Sequence, residues 1–197
     1  ANMLQCNLDG LTATQAADIF RWFPIGAAAI TPLLGYYLDR KGKGATMLIG
    51  GALLLIICHL VFAFVLPETK SEPIAYATIV ILGLSFALVP ASLWPSVPKI
   101  VDEKILGSAY CLIFWIQNFG LSLTPLLIGS VLSSTNANNP AVIAAKAQNA
   151  TLIPYDYTIP EIIFASFGVA ALLIAIYLKV VDKKKGYGLE LPNIKSE

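Results

Sequence analysis

Few side chains in this 197-residue chain can do chemistry, because 57% of it is apolar and only 13% is charged. The polar groups of most interest therefore stand in apolar surroundings. Tyr110, Gln117 and Thr124 recur every seven residues, so a helix puts them on one face, with Asn118 on the neighbouring face. Two adjacent amides either hydrogen-bond another helix, worth ~0.6–2 kcal/mol per contact in a membrane, or wall a cavity that receives a polar solute. Arg21 stands near the outer edge of an apolar run, with Asp18 three residues earlier as a ready partner. A guanidinium at that depth either meets a carboxylate on a solute or snorkels to the headgroups. His59 is the single histidine. Its imidazole titrates near neutrality, but no Asp or Glu falls within the apolar runs to pass a proton on. A neutral ring bonded to a neighbouring helix is expected. Trp94, directly before Pro95, reads with Trp22 and Trp115 as a packing or interface anchor.

Other chemistries have no residues to carry them. There is no nucleophile elbow, catalytic dyad, phosphate-cradling loop or cluster at metal-ligand spacing. No catalytic residue, metal site or cofactor is expected, and the chain does not read as an enzyme. Cys6, Cys58 and Cys111 are an odd, scattered set and make no disulfide framework. With 13 Lys+Arg against 12 Asp+Glu there is no global field to attract a nucleic acid. An ATP-driven pump would need a soluble nucleotide domain, and none fits.

The elements that must position these residues follow from where the charges are not. They are excluded from the runs 22–38, 44–67, 73–98, 105–145 and 162–178. Crossing ~30 Å of hydrocarbon takes about 20 mostly apolar residues. Each run therefore holds one span, the second half of the fourth being a loop through Asn136, Asn138, Asn139 and Pro140. The expected fold is an all-α polytopic membrane helix bundle with five spans, at about 13–38, 45–67, 73–98, 105–132 and 160–181. Residues 133–159 form an external loop without regular structure, and 182–197 a cytoplasmic tail. Thr12 and Gln15 read as a capping box opening the first span. Asp102 and Glu103 precede the fourth, where carboxylates favour a helix N-terminus. Pro24, Pro32, Pro90, Pro95 and Pro125 predict kinks rather than breaks.

Arg40, Lys41, Lys43, Lys99, Lys104, Lys179, Lys183, Lys184, Lys185 and Lys195 fall on one side of such a bundle, and Arg21, Lys70 and Lys146 on the other. This bias puts the start of the chain outside and its end in the cytoplasm. The first fifteen residues read as an external loop already under way, and five spans as an even bundle cut open. Asn149-Ala150-Thr151 is a glycosylation sequon on the external side.

Between the first two spans stands Gly35-Tyr36-Tyr37-Leu38-Asp39-Arg40-Lys41-Gly42-Lys43. Physically, Gly35 would let a neighbouring helix approach, and Asp39 would address a helix N-terminus or a basic partner. Arg40 and Lys43 would anchor among headgroups, and Gly42 would allow a tight reversal. The stretch resembles the Gly-x-x-x-Asp-Arg-x-Gly-Arg/Lys signature of the major facilitator superfamily. That resemblance implies twelve helices in two halves around a midplane site, and makes the five spans helices 8–12, the C-terminal half without its first helix. Gly35, Asp39, Arg40, Gly42 and Lys43 would then serve conformational gating, and Trp94 would lie where a cytoplasmic gate closes.

Over about residues 12–133 the likeness narrows. Leu93-Trp94-Pro95, Leu106-Gly107-Ser108-Ala109-Tyr110 and Ile116-Gln117-Asn118-Phe119-Gly120-Leu121 resemble the lysosomal dipeptide-transporter family and its bacterial relatives. The resemblance implies a secondary transporter of small polar organic solutes, dipeptides or short peptides above all, working by alternating access. Its partners would be the solute, the bilayer and the missing N-terminal half. Its place would be a bacterial cell membrane or, alternatively, the lysosomal membrane. The candidate solute cavity is Arg21, Trp94, Tyr110, Gln117, Asn118 and Thr124. Two alternatives are a receptor or scaffold that does not transport, and a carrier of another solute such as a sugar or organic anion.

Overall fold

A computed structural model describes residues 2–194; Lys195, counted above on the basic side, lies outside the described residues. Every regular element among them is helical. The chain opens with α1 (Asn2–Asn7), α2 (Ala13–Phe20), α3 (Trp22–Lys41) and α4 (Gly44–Leu60), the last passing through a π-helical turn (Val61–Val65) into α5 (Leu66–Thr69). It continues with α6 (Glu72–Ile100), α7 (Leu106–Thr135), α8 (Pro140–Ala147) and α9 (Thr158–Lys185). Four stretches are long and apolar enough to cross a membrane: Gly44–Thr69, Glu72–Ile100, Glu103–Thr135 and Thr158–Lys185.

The expected first span is two helices, with a break at Arg21. The reason is Pro24, which has no N–H to give the Phe20 carbonyl, so the hydrogen-bond ladder is interrupted there. The Thr12–Gln15 capping box forms in both directions. α3 carries Tyr36, Tyr37, Asp39 and Arg40 toward its end, which leaves it less apolar than the four long helices, yet it lies along α6 within the bundle.

Close helix approach depends on glycine, but not at Gly35. A side chain added there would meet nothing within 4 Å among the described residues. The tight crossing lies one helix over, where a Cβ on Gly83 would stand 2.7 Å from the Phe23 carbonyl oxygen. Gly83 thus fixes the α3–α6 separation. Ser85, 1% exposed, donates to the Gly51 carbonyl at 2.8 Å and ties α6 to α4. α4 in turn packs on α9.

The start of the chain is structured rather than an open loop. Leu4, Leu8 and Leu11 pack with Ala16, Ile19, Phe62, Leu66, Ala75 and Ile79 into a buried apolar cluster at the end of the bundle opposite the lysine-rich end of α9. Within 133–159, where irregular chain is expected, Pro140–Ala147 forms a helix. The Asn139 side chain accepts from the Ala141 amide and Pro140 takes the first helical position, so α8 has a standard start. Asn136, 2% exposed, clamps the two ends of the loop. Its amide donates to the Asp156 carbonyl at 3.0 Å and its oxygen accepts from the Asp156 N–H at 2.8 Å.

Candidate functional site

A cavity of about 580 Å3 opens between α3, α4, α6 and α7. Its walls are mostly apolar, from Phe23, Leu55, Phe86 and neighbours, and two of the expected residues, Trp94 and Gln117, border it. Trp94 is held by aromatic neighbours on α7. Its ring stacks on Phe114 at 5.0 Å, and the Tyr110 ring lies 5.9 Å away. The Tyr110 hydroxyl donates to the Trp94 carbonyl at 3.2 Å. Trp94 and Tyr110 are thus joined across the α6–α7 seam, and Trp94 shares the cavity wall with Gln117. An apolar hollow with a few polar groups on its wall is the usual composition of a small-molecule site.

The other expected cavity residues lie elsewhere. The Asn118 amide donates to the Phe114 carbonyl on its own helix at 2.8 Å. Thr124 borders a separate recess with Leu123, Leu127, Ser130 and Phe167. Arg21 pairs with Asp18, and both side chains are exposed. Arg21 thus takes the local partner that the three-residue spacing offers.

The signature turn is more tightly organised than a two-helix connection requires. Gly42 ends α3 at φ 73°, and Lys43 begins α4 at φ 68° with no side-chain cap of its own. The missing cap comes from the far end of the chain. Glu190 accepts from the Thr46 amide at 2.8 Å and from its hydroxyl at 2.8 Å and 3.0 Å. The Leu189 and Glu190 carbonyls accept from the Gly44 and Lys43 amides, both at 3.0 Å. Gly42 is required for this crossing as well as for the turn, since a Cβ there would stand 2.4 Å from the Glu190 carbonyl oxygen. Asp39 meets the Asn193 amide at 3.0 Å, neither a helix N-terminus nor a cation. Arg40 lies over the Tyr36 ring, 5.0 Å from its centre.

A family model for the Major Facilitator Superfamily matches residues 7–192 of this chain. The chain belongs to that superfamily. Among curated relatives, the lysosomal dipeptide transporter MFSD1 of Danio rerio is 29% identical over 182 residues, which is 92% of this chain and 34% of the relative. The human MFSD1 is 30% identical over 125 residues, 64% of this chain and 26% of the relative. The mouse MFSD1 is 28% identical over 163 residues, 83% and 30% of the two chains. The chain thus spans about a third of the length of the relatives it matches. No solved structure gives a significant match. With four apolar helices of membrane length, it is an all-α integral membrane protein of the superfamily.

In this superfamily member the most consequential polar pair escaped the sequence reading. His59 Nδ1 lies 2.7 Å from the Glu161 carboxylate, with side chains 12% and 9% exposed. The histidine is bonded to a neighbouring helix, as expected. Its partner is the acidic residue that the apolar runs excluded, because counting from Ile162 left Glu161 just outside the last run, whereas α9 begins at Thr158. A carboxylate in a first helical turn is favoured by the helix dipole, so the residue belongs there. Phe164 stacks on the imidazole at 5.1 Å, and the π-helical turn starts two residues after His59. Nearby, outside the spans, burial raises the Tyr157 hydroxyl above its usual pKa, with smaller contributions from Cys6, Tyr155 and Glu161. Burial also raises the Cys6 thiol, against the lowering effect of a Tyr155 backbone hydrogen bond.

Proposed function

We propose that the chain is part of a secondary transporter of small polar organic solutes, dipeptides and short peptides in particular, that works by alternating access. The observation that carries this reading is the cavity of about 580 Å3 bordered by Trp94 and Gln117, in a superfamily member whose curated relatives are named dipeptide transporters. The apolar walls suit a solute's side chain, and the Gln117 amide, with both donors and an acceptor, suits its peptide bond or termini. In this reading the chain supplies helices 8–12 of twelve, the N-terminal half completes the solute site, and the signature turn from Gly35 to Lys43 gates it. The lysine-rich end faces the cytoplasm by the Lys/Arg bias, in a bacterial cell membrane or in the lysosomal membrane that the relatives' names specify. The protein is a carrier rather than an enzyme.

The test is uptake by the full-length protein reconstituted in liposomes. Saturable entry of a labelled dipeptide, competed by unlabelled dipeptides and measured with and without a pH gradient, is the expected result. Gln117→Ala should lower uptake severalfold while leaving the purified protein folded. Absent uptake and absent competition would sink the peptide reading. Uptake of a sugar or organic anion in its place would reassign the solute, and none of any class would favour a receptor or scaffold.

A further inference from the structure

The segment after α9 has a role that neither the cavity nor the signature turn explains alone. It leaves α9 at Gly186, whose amide donates to the Asp182 carbonyl at 2.8 Å. It then crosses the lysine-rich end of the bundle and touches four helices. From α9, the Asp182 carboxylate accepts from the Leu189 amide at 3.0 Å. Lys179, also on α9, donates to the Thr46 hydroxyl at 2.6 Å and lies 3.9 Å from Glu190. From α6, Lys99 donates to the carbonyls of Gly188 at 3.2 Å and Leu191 at 2.8 Å. α4 offers its first-turn amides to Leu189 and Glu190. Asp39 of α3 accepts from the Asn193 side chain at 3.0 Å and, through its carbonyl, from the Ile194 amide at 3.1 Å.

Two features make this crossing reversible rather than part of the core. Leu189 is its only large side chain that is fully buried, at 1% exposed, whereas Leu191 and Ile194 are 63% and 62% exposed. Segments held by polar contacts with little apolar burial open at low free-energy cost. Second, among the described residues the Asp39 carboxylate is answered by a neutral amide. Among the described residues no lysine or arginine forms an ion pair with it. Hydrogen bonds to an ionised partner are about twice as strong as neutral ones, so a cationic partner would displace Asn193.

We infer that residues 186–194 form a releasable latch on the signature turn. Docked, the segment caps α4, occupies Asp39 and ties the α3–α4 turn to α6 and α9. Released, it frees Asp39 and the first-turn amides of α4, and the turn can move relative to the other helix ends. Its effect on transport rests on the reading proposed above; the docking and opening do not.

The experiment is hydrogen–deuterium exchange on the full-length protein, read at Gly42, Gly44 and Thr46, alongside the initial rate of dipeptide uptake. In Glu190→Ala/Asn193→Ala, exchange at all three amides should quicken about tenfold as local protection is lost, and the uptake rate should shift at least about twofold. Asn193→Asp is the gentler variant, because it sets two carboxylates face to face and releases the end of the segment without removing the Glu190 cap. It should speed exchange at Gly42 above all, and it decides the question if the double variant does not fold. Unchanged exchange in these variants overturns the latch. Faster exchange at Gly44 and Thr46 with Gly42 unchanged in the double variant also overturns it, since the segment would then be a helix cap only. Altered exchange with unaltered uptake removes it from the transport cycle. If the wild-type protein carries no solute, the transport reading fails and exchange alone decides the latch.

Discussion

The α4–α9 pair and helix α7 are built from similar material and are packed in opposite ways. In the α3–α6 and α4–α9 crossings, small residues are used. A Cβ on Gly83 would stand 2.7 Å from a backbone oxygen of α3, and one on Gly168 would stand 2.8 Å from Ile56. α7 has Gly107, Gly120 and Gly129, yet a side chain on any of them would meet nothing within 4 Å, and none of its 30 residues is buried among the described residues. Small residues therefore permit a close crossing without creating one. Packing in a membrane comes from surfaces that fit each other, because lipid tails are as apolar as leucine and drive no association. Under the proposed reading, the exposed face of α7 turns toward the remainder of the transporter.

The largest test of this contrast is the His59–Glu161 pair, which sits at the α4–α9 crossing. Removing one partner of a buried hydrogen-bonded pair leaves the other unsatisfied and costs ~1–3 kcal/mol, more when the group left behind is charged. Replacing both with well-packed apolar residues is close to neutral. Glu161→Leu should therefore lower the thermal unfolding temperature of the full-length protein sharply, and His59→Leu/Glu161→Leu should restore most of the loss. Equal losses in the single and double variants would show that the two residues act apart. On α7, Asn118→Leu removes only a bond to its own helix and should stay within about 0.5 kcal/mol, as surface substitutions do.

What could be read from sequence follows the same division. Charge exclusion placed the long helices well, because an unpaired charge in hydrocarbon is costly enough to leave a mark at every position. The mark is blurred at helix ends: Glu161 falls inside the expected span 160–181 but just outside the charge-free run 162–178, so it is not counted among the acidic residues that could face His59, although it lies one turn inside α9. α1 is not legible because six residues are too few for a composition signal, and of the leucines buried there only Leu4 lies within it. At the site, of the residues joined by the seven-residue spacing, Tyr110 bonds the Trp94 backbone and Gln117 borders the same cavity as Trp94. Thr124, one further repeat along, is carried by the long helix to a different recess. The bond between Glu190 and Thr46 joins residues 144 positions apart. Such a pairing leaves no periodicity, and only the closely spaced Gly42 and Gly44 hinted that another backbone passes there.

A glycine exchange sharpens the comparison at intermediate size. Gly83→Ala forces α3 and α6 apart, since the obstacle is backbone rather than a flexible side chain. Overpacking of this kind costs ~1–3 kcal/mol. Gly120→Ala meets open space and exchanges a poor helix former for the best one, a gain of up to ~1 kcal/mol. Thermal unfolding of the two variants in detergent should move in opposite directions. A destabilising Gly120→Ala would instead show that this point of α7 is covered by a segment beyond the chain described here.

The smallest effect separates α7's few attachments from its open face. The Tyr110 hydroxyl is a side-chain tie between α7 and α6, and hydrogen bonds of this sort average ~0.6 kcal/mol in a membrane bundle. Tyr110→Phe keeps the ring beside Trp94 and deletes only the donor, so unfolding should shift by that amount. Cysteine labelling gives a more sensitive reading of whether α7 has loosened. Cys111 follows Tyr110 on α7 and is exposed, whereas Cys58 of α4 is buried and donates to the Thr78 carbonyl at 3.6 Å. A membrane-permeant maleimide should modify Cys111 first and leave Cys58 intact in the folded protein. If the tyrosine tie holds α7 against α6, Tyr110→Phe should speed labelling at Cys111 and leave Cys58 as protected as before. Faster labelling at both positions would mean that the two regions open together, and the division between a packed crossing and a loosely held helix would fail.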